Sequence, residues 1–144
     1  MKQSLIDTAL WLIIDPWLNQ PKPCPPETDI IHAHYCTKID QYLRGWQVKN
    51  KLVLLDNEDT IAPQFANYPR APGHTFLKLK TWQNYTHLVY TGFHHGQCIL
   101  YRPWGIKAMS QHIECVLVRH LCCVYPGGDW VGEDKTTQPW AEII

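Results

Sequence analysis

At 144 residues the chain has the length of one compact domain, able to bury roughly 70% of its unfolded surface in a single core. Its 13 basic residues balance its 13 acidic ones, which leaves no global field to draw it to nucleic acid or an anionic membrane and favours small-molecule or protein partners. The longest apolar run, ALWLII, is far short of the ~20 residues that span a bilayer, and the N-terminus lacks a basic region followed by a small-residue cleavage site, so a cytoplasmic location is expected.

The run ALWLIID, closed by Asp15 and Pro16, has the pattern of a strand buried on both faces of a parallel sheet. The following NQPKPCPPE is a loop, because prolines fix the backbone and remove donors. From Thr28, a candidate N-cap, Ile31, Tyr35, Ile39, Tyr42, Leu43 and Trp46 recur at helical spacing, with Lys38, Asp40, Gln41 and Arg44 on the other side and His32 toward the polar face. KLVLLD reads as a second buried strand and HTFLKL as a third. Between them TIAPQFANYPRAPG has three prolines and no period; a loop of that length is usually functional or mobile, and a lid is one such role. THLVYTG makes a fourth strand, ILYRPWGIKAMSQ a helix and ECVLVRHLCC a fifth strand. The tail, residues 125–144, has no period; its Trp130 and Trp140 are expected to cover the domain or a neighbouring subunit.

This alternation implies right-handed crossovers and a single three-layer α/β domain over residues 1–144, with a mainly parallel, open, Rossmann-like sheet of about five strands. In such sheets ligands bind outside the carboxyl ends of the strands, where the winding direction reverses. By this reading Asp15 closes the first strand, Lys78 and Lys80 end the third, and Cys98 follows the fourth after a short glycine-bounded loop. Six cysteines with no secretory signal, two of them adjacent at 122 and 123, fit reduced thiols better than disulfides.

These segments resemble the isochorismatase-like cysteine hydrolases, the family that includes nicotinamidases and N-carbamoyl amidohydrolases. LWLIIDPW is similar to the family's apolar strand ending in the catalytic aspartate, LVYTGFHHGQCIL to its strand, glycine, five-residue turn and nucleophilic cysteine, and HIECVLVRHLCC to its next strand. The resemblance spans roughly residues 9–124. It implies Cys98 as nucleophile, Asp15 as acid/base, and a lysine at Lys80 or Lys78, of which Lys80 lies nearer the strand's carboxyl end. The chain departs from the pattern in having PW after the aspartate, His95 three residues before the cysteine, and Pro103 and Gly105 in the helix that should follow it.

The chemistry has its own logic. A thiol attacks only as thiolate, which free N–H groups at a helix start and a nearby ammonium favour. Cys98 would attack a small amide carbonyl, the backbone N–H groups of Gln97 and Cys98 would hold the oxyanion, and Asp15 would move the proton to the departing amine. Trp17, Phe65, Tyr68, Trp82 and Trp104 are expected as flat apolar walls for a planar or small cyclic amide, with His95 and Gln97 as further substrate contacts. Read singly, each is as well explained as core packing or a subunit contact. The rival chemistry is a zinc site drawn from His32, Cys36, His94, His95 and Cys98, but no paired C-x-x-C supports it, and neither metal nor cofactor is expected. The alternative function is a trimmed, non-catalytic ligand- or partner-binding protein of the same fold. High apolar content and zero formal charge further suggest a homodimer joined through Trp130, Trp140 and Ile143 of the tail.

Overall fold

The structure is a computed structural model in which residues 2–18, 27–56, 60–95, 98–124 and 141–142 are described, without the side chains of 27, 28, 95, 124, 141 and 142. The elements in chain order are helix α1 (Gln3–Asp7), strand β1 (Leu10–Ile14), helix α2 (Glu27–Gly45), strands β2 (Lys51–Leu55) and β3 (Arg70–Pro72), helix α3 (Gly73–Lys78), strand β4 (His87–His95), short helices α4 (Cys98–Tyr101) and α5 (Ile106–Met109), strand β5 (Glu114–Val124) and the two-residue β6 (Ala141–Glu142). All pairings in the sheet are parallel, in the order β3-β2-β1-β4-β5-β6.

β1 lies at the centre, and its five residues are all buried, as an apolar strand covered on both faces must be. Alternate side chains serve opposite layers. Trp11 and Ile13 join Val53, Val89, Phe93 and Val118 against Tyr35, Cys36, Ile39 and Leu43 of α2. Leu10, Leu12 and Ile14 join Leu54, Leu88, Tyr90 and Leu117 against Phe76, Ile99, Leu100, Ile106 and Met109 of the short helices. The result is the expected three layers, helix on both sides of a parallel sheet.

Five expectations need correction. HTFLKL is not a strand: Gly73–Lys78 is helical, with Phe76 and Leu77 facing the core and Lys78 at the last turn, and the third strand is the RAP that precedes it. A six-residue stretch with apolar residues at 76, 77 and 79 is too short for its period to decide, and the packing of Phe76 selects the helix. The proline-rich stretch before it is no lid, because Ile61, Ala62 and Phe65 are buried in the core and Pro63–Phe65 forms a 3-10 turn. ILYRPWGIKAMSQ is two one-turn helices, broken at Pro103 to Gly105. His32, expected on the polar face of α2, is buried, while Trp46 is exposed. Among the described residues no helix is long and apolar enough to cross a membrane. Trp130, Trp140 and Ile143 of the tail lie outside the described residues.

Candidate functional site

The chain leaves β1 to build β2 and β3 on one side, then returns to place β4 and β5 on the other. The winding therefore reverses between β1 and β4, and the crevice outside their carboxyl ends is where a ligand belongs. Asp15 stands there at the end of β1, and Cys98 stands there at the start of α4.

Asp15 is wholly buried and has a left-handed backbone, φ 48°. Its N–H donates to the Leu54 carbonyl at 3.0 Å, and its Oδ1 accepts the backbone N–H of Asp56 at 3.1 Å. Oδ2 is buried with no hydrogen-bond partner among the described residues. Burial raises the carboxyl to about 6; the Asp56 N–H, the Arg102 guanidinium and Cys98 pull the other way.

Cys98 is half-buried, whereas the other described thiols, Cys36, Cys115, Cys122 and Cys123, are buried. The Asp15 carboxyl and the Arg102 guanidinium are both near enough to its thiol to shift it. Burial pushes the thiol up, the Asp15 charge adds to this, and Arg102 opposes both. The sequence argument anticipates a thiol acidified by a helix start and an ammonium. The structure differs on both points: α4 is a single turn of four residues with little dipole to offer, and the positive charge that lowers the thiol is that of Arg102.

Arg102 sits one turn after Cys98, its N–H donating to the Cys98 carbonyl at 3.3 Å, and its Nη2 pairs with Asp56 Oδ2 at 2.8 Å. Burial works against the guanidinium charge, but Cys98, Asp56 and Asp15 more than offset this, and its pKa is raised. Sequence reasoning missed both Arg102 and Asp56, although signals existed. KLVLLD closes β2 with an aspartate just as LWLIID closes β1, and the interval from Cys98 to Arg102 is one helical turn.

Lys80 is elsewhere. It has a left-handed backbone, φ 51°, before the 3-10 turn Thr81–Asn84, and lines a cleft of about 560 Å³ with Trp82, Gln83, Tyr85, His112 and Ile113. Tyr85 leads into β4 and Ile113 into β5, while Thr86 donates to Thr8 just before β1, so this cleft opens at the amino ends of the strands. A five-residue strand alone separates the two edges by roughly 16 Å.

The expected aromatic walls also divide. Trp17 stays near the crevice, its N–H bonded to the Asp15 carbonyl at 2.8 Å. Phe65 is core, and Tyr68 packs on it and donates to Asp40 at 2.7 Å on the α2 side. Trp82 packs on Phe76 and lines the amino-end cleft. Trp104 is buried over Gly73, where any Cβ would meet its ring. The His95 side chain and Gln97 lie outside the described residues.

Two histidines are buried on the α2 side of the sheet. His32 stacks on Phe93 at 3.6 Å, His94 lies edge-on at 6.2 Å, and Cys36 Sγ is 3.8 Å from His32 Nδ1. Burial holds His32 at about 3, with the His94 charge adding to the effect, and holds His94 at about 4, so both rings are neutral at pH 7. Among the described residues no group of three or more His, Cys, Asp or Glu side chains could hold a metal ion.

Comparison with known proteins agrees with this architecture. An isochorismatase from Pseudomonas putida KT2440 superposes with a TM-score of 0.53 at 12% sequence identity, covering 81% of this chain and 71% of that one. The fold is isochorismatase-like. No protein-family model matches the sequence, and no curated protein matches it. Within this isochorismatase-like frame, Asp15, Cys98, Arg102 and Asp56 share the switch-point crevice, and Lys78 and Lys80 belong to the segment between β3 and the amino end of β4.

Proposed function

We propose that the protein is a cysteine hydrolase that cleaves a small amide-type C–N bond, with Cys98 as nucleophile and Asp15 as acid/base. The observation that carries this reading is the placement of Asp15 at the carboxyl end of β1 and Cys98 at the start of α4, around the switch point between β1 and β4, with each group shifting the other's pKa. Raised to about 6, Asp15 is ionised at pH 7 yet close enough to neutrality to take a proton and return it, while burial keeps the resting thiol protonated. The thiol proton passes to Asp15 as sulfur bonds to the amide carbonyl carbon, and the carbonyl electron pair moves to oxygen. Collapse breaks the C–N bond, and the amine leaves with the proton from Asp15. Water, deprotonated by Asp15, then cleaves the thioester, returning the acid product and free thiol.

A resemblance to the nicotinamidases and N-carbamoyl amidohydrolases supports small amides and N-carbamoyl compounds as the substrate class. A second reading, a ligand-binding protein without turnover, is favoured by one observation: Lys80 stands at the opposite edge of the sheet. Incubation with nicotinamide and a set of N-carbamoyl compounds, followed by acid quench, decides between them. Ammonia release together with an acyl adduct on the Cys98 peptide is expected. Saturable binding with neither product favours the non-catalytic reading, and ammonia release at the wild-type rate by Cys98→Ala removes the nucleophile assignment.

A further inference from the structure

We propose that Arg102, pinned by Asp56, is the cation that serves the Cys98 thiol in place of a lysine, and that Asp56 is a positioning residue for both Arg102 and Asp15. The inference deepens the hydrolase reading and rests on its choice of Cys98 as the reacting thiol. Three contacts carry it. Arg102 follows Cys98 by one helical turn, with the backbone bond from its N–H to the Cys98 carbonyl at 3.3 Å, so the two side chains emerge on one face. Its Nη2 is held by Asp56 Oδ2 at 2.8 Å, which leaves the guanidinium near enough to the thiol to favour its ionised form. The same Asp56 donates its backbone N–H to Asp15 Oδ1 at 3.1 Å. One residue at the end of β2 thereby holds both the acid/base and the cation.

The arrangement suits the charge that moves. When the thiol proton passes to Asp15, negative charge leaves the carboxylate and gathers on sulfur, and the charge of the guanidinium acts on both groups. Arginine stays charged throughout the working pH range and offers several donors, so it holds Asp56 and faces the sulfur together. Its Nε is buried with no hydrogen-bond partner among the described residues, which marks a guanidinium placed for more than its ion pair.

The test reads the thiol directly and needs no substrate. Iodoacetamide is added to the folded full chain between pH 7 and 9, and alkylation of each cysteine is followed by peptide mass spectrometry. Arg102→Gln, which keeps much of the stem and removes the charge, is expected to slow Cys98 alkylation about tenfold at pH 8, the size of a one-unit rise in thiol pKa. Arg102→Lys restores most of the rate, and Lys80→Ala leaves it unchanged. In an Asp56→Asn background, Arg102→Gln has a smaller effect, because an unpinned guanidinium has already left the sulfur. A wild-type rate in folded Arg102→Gln, confirmed by an unchanged far-UV spectrum, overturns the role of Arg102, as does a slowed rate in Lys80→Ala. An equal effect of Arg102→Gln in both backgrounds overturns the positioning role of Asp56. Should Arg102→Gln not fold, Arg102→Met takes its place: a tenfold loss supports the role of the charge, and alkylation as fast as wild type overturns it. Absence of amide turnover with the expected alkylation pattern would count against the hydrolase reading and leave the cation assignment standing.

Discussion

Asp56 holds Asp15 through its main chain: the Asp56 N–H donates to Asp15 Oδ1 at 3.1 Å, tying together the carboxyl ends of two neighbouring strands. The bond supports a carboxylate that burial otherwise disfavours, and the balance leaves Asp15 at about 6 against 3.8 in the unfolded chain. Because the folded pKa is the higher, the contribution of Asp15 to stability is full below about pH 4 and is lost as pH rises through about 6. Asp15→Asn removes that loss, keeps an oxygen for the Asp56 N–H, and tolerates the left-handed backbone. Asp15→Asn is therefore expected to be inactive yet more stable than wild type at pH 7.5, by about 1–3 kcal/mol, with the gain vanishing near pH 4. Urea titrations at pH 4, 6 and 7.5 measure this. A variant less stable than wild type at every pH refutes the account.

The separation of the two edges of the sheet makes a sharp contrast between two other variants. Cys98→Ala removes the sulfur at the crevice and is expected to abolish amide cleavage with the fold retained. Lys80→Ala acts at the amino-end cleft with Trp82 and His112 and is expected to keep at least half of the wild-type kcat/KM. Lys78→Ala, at the last turn of α3, should behave like Lys80→Ala. A dead Lys80→Ala with normal thermal unfolding would mean that the lysine reaches the crevice after all.

These contrasts show what the residues make legible. Continuous apolar runs such as LWLII and KLVLL have one strong reading, a strand covered on both faces, and Asp15 and Cys98 follow from where such strands end. Phe76 and Lys78 sit in a stretch too short for its period to separate strand from helix, and only the packing of Phe76 against Trp82 and the core chooses. The same ambiguity decides where Lys78 and Lys80 lie, since a lysine ending a strand and a lysine following a helix fall on opposite edges. Aromatic residues carry no address at all: Phe65, Trp82 and Trp104 went to the core, the far edge and the floor beneath Gly73. Arg102 was hidden because Pro103 masks the helical turn that joins it to Cys98.

The buried imidazoles give an acid response opposite in sign to that of Asp15. His32 and His94 are held at about 3 and about 4 against 6.5 when unfolded. A lowered folded pKa means that their contribution is full above about pH 6.5 and is lost as pH falls through the folded values. Each ring then costs roughly 1.4 kcal/mol per pH unit in that window, partly offset by Asp15 between pH 4 and 6. His32→Phe keeps the stack on Phe93 and removes one titration. Its stability relative to wild type should rise as pH drops from 7 to 5, read as a shrinking difference in urea midpoint. A difference that stays constant with pH would show that His32 does not titrate between the two states.

The last prediction concerns the closeness of β4 to β1. Gly92 has φ +109°, and a Cβ there would meet the main chain of Ile14, the residue before Asp15. Both effects act on any other residue, the backbone strain and the collision with atoms that cannot move aside without opening the central strand pair. Gly92→Ala is therefore expected to cost about 2–4 kcal/mol, and to lose catalytic efficiency beyond what its stability explains, because relief of the clash moves the end of β1, and with it Asp15, away from Cys98. Gly45→Ala is the control: it meets nothing within 4 Å at the end of α2 and should change stability by no more than about 0.5 kcal/mol. Chemical denaturation of the two variants side by side tests the claim. If Gly92→Ala is as stable and as active as Gly45→Ala, β1 and β4 are not packed as tightly as their register requires, and the position of Asp15 does not depend on that packing.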